Sequence, residues 1–228
     1  MFVKFIYKII ILNIHMENVV KNFDLVKEEI SNFKNANIVA VSKTFPIGHI
    51  LPLLNHGHQH FGENKVQEAQ EKWTSLKNDF PNLKLHLIGK LQTNKVKFAL
   101  PLFDYIHSLD SIKLAEKISS EQKKKNFKPK IFIQVNIGKE SQKSGSDEDD
   151  LESFQKRCVN EFDLNIIGIM CLPPLNEDPI PFFKKMQNLS KRLKFKEISM
   201  GMSNDYMDAL RFNATYIRVG SKIFGNRS

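Results

Sequence analysis

From residue 38 onward the chain alternates short apolar runs with longer amphipathic stretches, and the alternation recurs eight times. The apolar runs fall at 38–42, 59–62, 84–88, 105–108, 131–136, 165–170, 196–200 and 215–219. They are short and rich in β-branched residues, Leu and Phe, which is the pattern of strands buried on both faces of a parallel sheet. The intervening stretches carry apolar residues at helical spacing: Val66, Ala69, Trp73 and Leu76; Leu114, Ala115 and Ile118; Leu151, Phe154, Cys158 and Phe162. Ser146 and the acidic turn Asp147–Glu148–Asp149 read as the start of the last of these, and Asp110 reads as a helix N-cap. One further helix is predicted over 19–33, ahead of the first strand. Strands alternating with helices imply a parallel α/β sheet. Eight of them without a long insertion favour one closed (β/α)8 TIM barrel, a compact version of a fold that usually takes ~250 residues. No G-x-G-x-x-G follows any strand, which counts against a dinucleotide-binding sheet. No Pro/Gly/Ser-rich linker divides residues 16–228, so they are expected to form a single domain.

Composition changes this picture little. The chain has 228 residues, a hydrophobic fraction of 41% and a formal charge of +9. The basic residues are scattered among acids rather than striped, so nucleic acid is not an expected partner. The densest run, Lys123–Lys124–Lys125 with Lys128 and Lys130, reads as a solvated loop. Cys158 and Cys171 form no C-x-x-C pair and read as buried thiols of a cytoplasmic protein. Residues 1–15 are basic and apolar, yet Lys4 and Lys8 interrupt the apolar core and no small-residue cleavage site follows. They read as an extension, with Met16 the alternative start to Met1, and the stretch is too short to span a bilayer.

In a barrel of this type the active site lies at the C-terminal ends of the strands. The residues just after each apolar run are Lys43, Glu63 and Asn64, Gly89, Asp110, Asn136, Gly201 and Ser203, and Arg218 with Gly220 and Ser221. A lysine ending a buried strand is costly unless it is used, and partial desolvation frees its amine for Schiff-base chemistry. The alternative is a lysine that snorkels to the surface. Loops after the seventh and eighth strands commonly form a phosphate cup, and Ser203, Gly220 and Ser221 supply the glycine and hydroxyls such a cup needs. Serine-capped tight turns would leave the same residues.

Several motifs carry a resemblance. Ile38–Val39–Ala40–Val41–Ser42–Lys43, Phe61–Gly62–Glu63–Asn64 with Val66–Gln67–Glu68, and His86–Leu87–Ile88–Gly89 with Leu91–Gln92 and Asn94–Lys95 are three of them. Gln134–Val135–Asn136 followed by Lys143–Ser144–Gly145, Ser199–Met200–Gly201–Met202–Ser203, and Arg218–Val219–Gly220–Ser221 with Ile223–Phe224–Gly225 complete the set. In this order they resemble the pyridoxal 5′-phosphate (PLP) homeostasis protein family of the YggS type, related in fold to the N-terminal barrel of alanine racemase. The resemblance implies that Lys43 carries PLP as a Schiff base and that Ser203, Gly220 and Ser221 bind its phosphate. It further implies that Arg218 faces the pyridine nitrogen, Asn64 lines the cofactor and Met200 packs against the ring. The family is thought to bind and supply PLP without efficient catalysis, with apo PLP enzymes as candidate recipients.

A guanidinium keeps its proton, so at the ring nitrogen it can only donate a hydrogen bond and disfavours protonation there. The electron sink used by carbanion-forming PLP enzymes is thereby weakened. A racemase-like activity remains the alternative. It would need a second base opposite Lys43, and the tyrosines available are Tyr7, Tyr105, Tyr206 and Tyr216. His56, His58 and His60 alternate as metal ligands do, but they enter the second strand from the end away from the site, so no metal is expected. His86 and His107 read as hydrogen-bonded core residues. A monomer is expected, since no sustained heptad is present.

Overall fold

A computed structural model describes residues 18–140, 142 and 144–225. The predicted extension 1–15 and Lys143 lie outside these described residues. The eight strands are β1 (Asn37–Val41), β2 (His60–Glu63), β3 (Lys84–Leu87), β4 (Tyr105–Leu109), β5 (Lys130–Val135), β6 (Asn165–Cys171), β7 (Glu197–Met202) and β8 (Tyr216–Val219). They pair in chain order, all parallel, and β8 closes on β1 to complete the barrel. The helices are α1 (18–29), α2 (Ile47–Asn55), α3 (Val66–Trp73), α4 (Leu76–Asp79), α5 (Val96–Ala99), α6 (Ile112–Lys125), α7 (Leu151–Asn160), α8 (Ile180–Leu193), α9 (Tyr206–Arg211) and α10 (Ser221–Phe224). The predicted (β/α)8 barrel is therefore the observed fold.

Strand alternation builds two cores. One face of each strand packs outward on the helices, as Ala40, Phe61, Leu85, Ile133, Ile217 and Val219 do. The other face fills the lumen, where Val39, Tyr105, Phe132, Met170 and Tyr216 form their own cluster. Helix α1 joins the outer core because Val19, Phe23, Val26 and Ile30 recur at helical spacing and are all buried. Each such side chain contributes roughly 1.5–3 kcal/mol of transfer free energy. Asn22 Nδ2 donates to Ile223 O at 3.2 Å, tying α1 to the last helix.

Four expectations are corrected. Strand β7 runs on to Met202 through an irregularity in its pairing with β8, because Gly201 takes φ +88 and absorbs the extra residue. A Cβ at Gly201 would lie 2.7 Å from Ala209 Cβ and 2.9 Å from Tyr206 Cα, so the missing side chain also lets α9 approach. Ser146 does not start α7. It bridges β5 in parallel, its amide donating to Gln134 O at 2.8 Å and its carbonyl accepting from Asn136 N at 3.1 Å. Lys123–Lys125 are the last turn of α6 rather than a loop; three cations suit the negative end of the helix, and Asn126 ends it at φ 47. The cap at the other end of α6 is Ser111, whose Oγ accepts from Leu114 N, and not Asp110.

Candidate functional site

Lys43 is half-buried where β1 ends. The backbone around it is held by its two neighbours. Thr44 sits in the left-handed region at φ 69, and its amide donates to Glu68 Oε1. Ser42 Oγ donates to Glu63 Oε1 at 2.7 Å. That same carboxylate oxygen accepts from Lys72 Nζ and from Trp73 Nε1, both at 2.9 Å. Lys72 Nζ also donates to Ser42 O at 2.9 Å and to Glu68 Oε1 at 3.1 Å. Glu63 and Lys72 are buried, so this is an ion pair out of water beneath the Lys43 loop. Burial pushes the Glu63 carboxyl up from its ordinary value, and Lys72, Trp73 and Ser42 oppose that rise. The carboxylate thus fixes the strand end that presents Lys43.

On the other side of β1 stands β8, in register from Asn37 opposite Tyr216 to Ala40 opposite Val219. Gly220 follows directly, and a Cβ there would lie 3.3 Å from both Val41 Cβ and Val41 O, tighter than most side chains accept. Its amide donates to Ser203 Oγ at 3.2 Å, which joins the loop after β7 to the start of α10. Ser203 is half-buried and Ser221 exposed. Asp205 secures this loop by accepting from Met202 N and donating its own amide to Met202 O at 3.1 Å. On the β2 side Asn64 is half-buried, and its carbonyl lies so close to Gly89 that a Cβ there would meet it at 2.3 Å. The glycine after β3 is needed to seat Asn64. Lys43, Asn64, Ser203, Gly220 and Ser221 therefore gather at the C-terminal ends of four consecutive staves, β7, β8, β1 and β2.

Arg218 points into the lumen and is 4% exposed. It donates from NH1 to Ser199 Oγ at 2.6 Å and from NH2 to Cys171 O at 2.9 Å. Burial lowers its pKa from an ordinary value so high that it stays a cation. Two of the fork's N–H groups are committed to these partners, which orients the rest of the guanidinium.

Met200 is the residue whose expected role the geometry contradicts. It is fully buried in the outer core, with Ile198, Ile217 and Val219, because the alternation that turns Ser199 into the lumen turns Met200 towards the helices. Met202, paired in register with Arg218 beyond the Gly201 irregularity, is the methionine of this strand that reaches the rim. The histidine triplet is also dispersed: His56 pairs with Asp24 at 2.9 Å, His58 Nε2 with His60 O at 2.8 Å, and His60 with His86. Among the described residues no three His, Cys, Asp or Glu side chains gather as a metal site. No helix among them is long and apolar enough to cross a membrane.

The sequence profile of the alanine racemase N-terminal domain matches residues 14–228. A pyridoxal phosphate homeostasis protein of Aquifex aeolicus is 35% identical over 201 residues, covering 84% of this chain and 87% of the relative. The chain belongs to the pyridoxal phosphate homeostasis protein family. Among solved structures, PipY of Synechococcus elongatus without PLP superposes with a TM-score of 0.80 at 34% identity, covering 87% of this chain and 99% of that one. PipY with PLP bound gives a TM-score of 0.78 at 33% identity, covering 88% and 100%.

In this member of the pyridoxal phosphate homeostasis family, reading the sequence missed the residues behind the site: Ser199, Lys72, Glu68 and the left-handed Thr44. Lys72 follows Glu68 by four residues on α3 and so looks like an exposed helix pair. Only the tertiary contact with β1 and β2 reveals it as a buried anchor.

Proposed function

We propose that this chain holds PLP as a Schiff base on Lys43 and serves PLP homeostasis by carrying the cofactor rather than by rapid turnover. The observation that carries the reading is the convergence of an amine at the end of β1 with a buried cation, a glycine and two hydroxyls from β7 and β8. That set matches an anionic aldehyde with a ring nitrogen to be hydrogen-bonded. Gly220 leaves room for close backbone approach, and Ser203 with Ser221 supply hydroxyl donors for a phosphate. Asn64 follows the end of β2, the strand paired with β1. The bound cofactor would supply an electrophilic carbonyl and an electron-accepting ring. Arg218 limits that second property, because a permanent cation donating to the ring nitrogen opposes its protonation.

A racemase-like reading needs a second proton carrier across from Lys43. Tyr105 and Tyr216 begin their strands and pack among the lumen histidines, at the end of the barrel away from Lys43. Tyr206 donates its hydroxyl to Glu29 and accepts from Lys222. These placements favour the carrier reading, in which apo PLP enzymes are the recipients and the carrier works as a monomer in the cytoplasm.

Borohydride reduction of the PLP-loaded protein, followed by peptide mass analysis, should place the label on Lys43, and Lys43→Ala should lose the visible absorbance. A label elsewhere, or sustained turnover of alanine at enzyme-like rates, would overturn the proposal.

A further inference from the structure

A line of side chains crosses the lumen from its N-terminal end to Arg218. His60 Nδ1 lies 2.9 Å from His86 Nε2, His86 Nδ1 lies 2.9 Å from His107 Nε2, and His107 Nδ1 lies 2.9 Å from Ser199 Oγ. Ser199 Oγ accepts from Arg218 at 2.6 Å. The climb follows from the tilt of barrel strands. His60 is level with Lys84, which puts His86 two residues higher on β3; His86 is level with Tyr105, which puts His107 two higher again on β4. His86, His107 and Ser199 are wholly buried.

Each link alone could run either way, but the two directions of the whole set are not equivalent. A neutral imidazole has one donor and one acceptor. Burial holds all three histidines below their ordinary pKa, helped by Lys84 at His60, His107 at His86 and Arg218 at His107. Arg218 can only donate, so Ser199 Oγ is an acceptor on that side. If the serine hydrogen goes to His107 Nδ1, His107 and His86 each give one bond from Nε2 and accept one at Nδ1, and His60 accepts the last at Nδ1. Reversed, His107 and the guanidinium would both donate to Ser199 Oγ and take its two lone pairs. The serine hydrogen would then lack an acceptor among its described side-chain partners, and each N–H dipole would point its positive end at a buried cation.

We infer that Ser199 and His107 are positioning residues for Arg218, and that His60, His86, His107 and Ser199 form a one-way hydrogen-bond relay with each imidazole protonated on Nε2. The relay fixes the guanidinium that the proposed function sets against the ring nitrogen, and its effect on bound PLP rests on that reading. The tautomers do not, since they belong to the chain alone.

Two measurements test it. Long-range proton–nitrogen NMR on histidine-labelled protein without cofactor, at neutral pH, should show three neutral imidazoles with the proton on Nε2, assigned through single His→Gln variants. A proton on Nδ1 of His86 or His107, or an imidazolium at either, would overturn the relay. Ser199→Ala should bind PLP about tenfold more weakly, the loss of one charge-assisted bond, and shift the visible absorption maximum while Lys43 stays labelled by borohydride. Unchanged affinity with an unchanged spectrum would refute the positioning role. Should Ser199→Ala fail to fold, the tautomers of the unmodified protein decide. Should Lys43 take no label, the proposed function falls and the tautomer test still stands.

Discussion

The polar groups inside the barrel and those on its rim use the same chemistry under opposite conditions. In the interior, Lys72 meets Glu63 between β2 and α3 with both side chains buried. His60, His86 and His107 line up in the lumen towards the Arg218 guanidinium, with their pKa values lowered by burial. On the rim, Lys222 Nζ lies 2.7 Å from Glu29 Oε2, and Tyr206 completes the cluster, but both charged partners are more than a third exposed. The distances are alike; the solvent is not. Water screens the rim clasp and accepts its groups when it opens, whereas an interior group that loses its partner has no substitute. The two clusters flank opposite sides of the site, one beneath Lys43 and one beside Ser203 and Gly220.

Acid should separate the two regions most strongly. Burial depresses His58 to about 4 and also lowers His60, His86 and His107. A depressed group adds stability that is present above its ordinary value near ~6.5 and is lost as pH falls towards the folded value, since the unfolded chain takes up the proton first. Each histidine should cost up to about 1.4 kcal/mol per pH unit below that point. Glu63, raised by burial, acts in the opposite sense, but it is one carboxyl against four imidazoles. Urea midpoints that stay flat between pH 7 and 5 would break the comparison.

Lys72→Met comes next. It strands the Glu63 carboxylate without a cation and should cost about 3–5 kcal/mol in urea denaturation. Pairing it with Glu63→Leu should recover much of the loss, because the buried charge goes as well. Gly201→Ala, at the junction of lumen strand and rim helix, combines a left-handed φ with a Cβ 2.7 Å from Ala209. It should cost about 1–3 kcal/mol by thermal unfolding. Glu29→Gln closes the series: the exposed clasp should contribute no more than about 1 kcal/mol, and the difference should fade in high salt.

The strands were legible because a parallel barrel strand is buried on both faces, and eight short apolar runs bounded by turns have few other uses. The gathering of Lys43, Asn64, Ser203, Gly220 and Ser221 at one end of the barrel was legible for the related reason that they follow those runs. What sequence could not show depends on register. Met200 was set against the ring because its motif says nothing about which face each residue takes around the Gly201 irregularity. Ser146 looked like a helix start because a single parallel bridge leaves no periodic trace. The relay was hidden most deeply: His60, His86 and His107 line up only when strand tilt shifts each inward position by two residues.

The barrel's closing seam has a consequence for how the protein is made. Asn37 and Thr215, hydrogen-bonded at that seam, stand 178 residues apart, and Lys43 lies on the opposite side of it from Ser203 and Gly220. A ribosome must therefore release nearly the entire polypeptide before Lys43 and the loop holding Ser203 can be brought together across the closed seam. Occupancy would then act as a clip across the join, slowing the unzipping of the first and last strands.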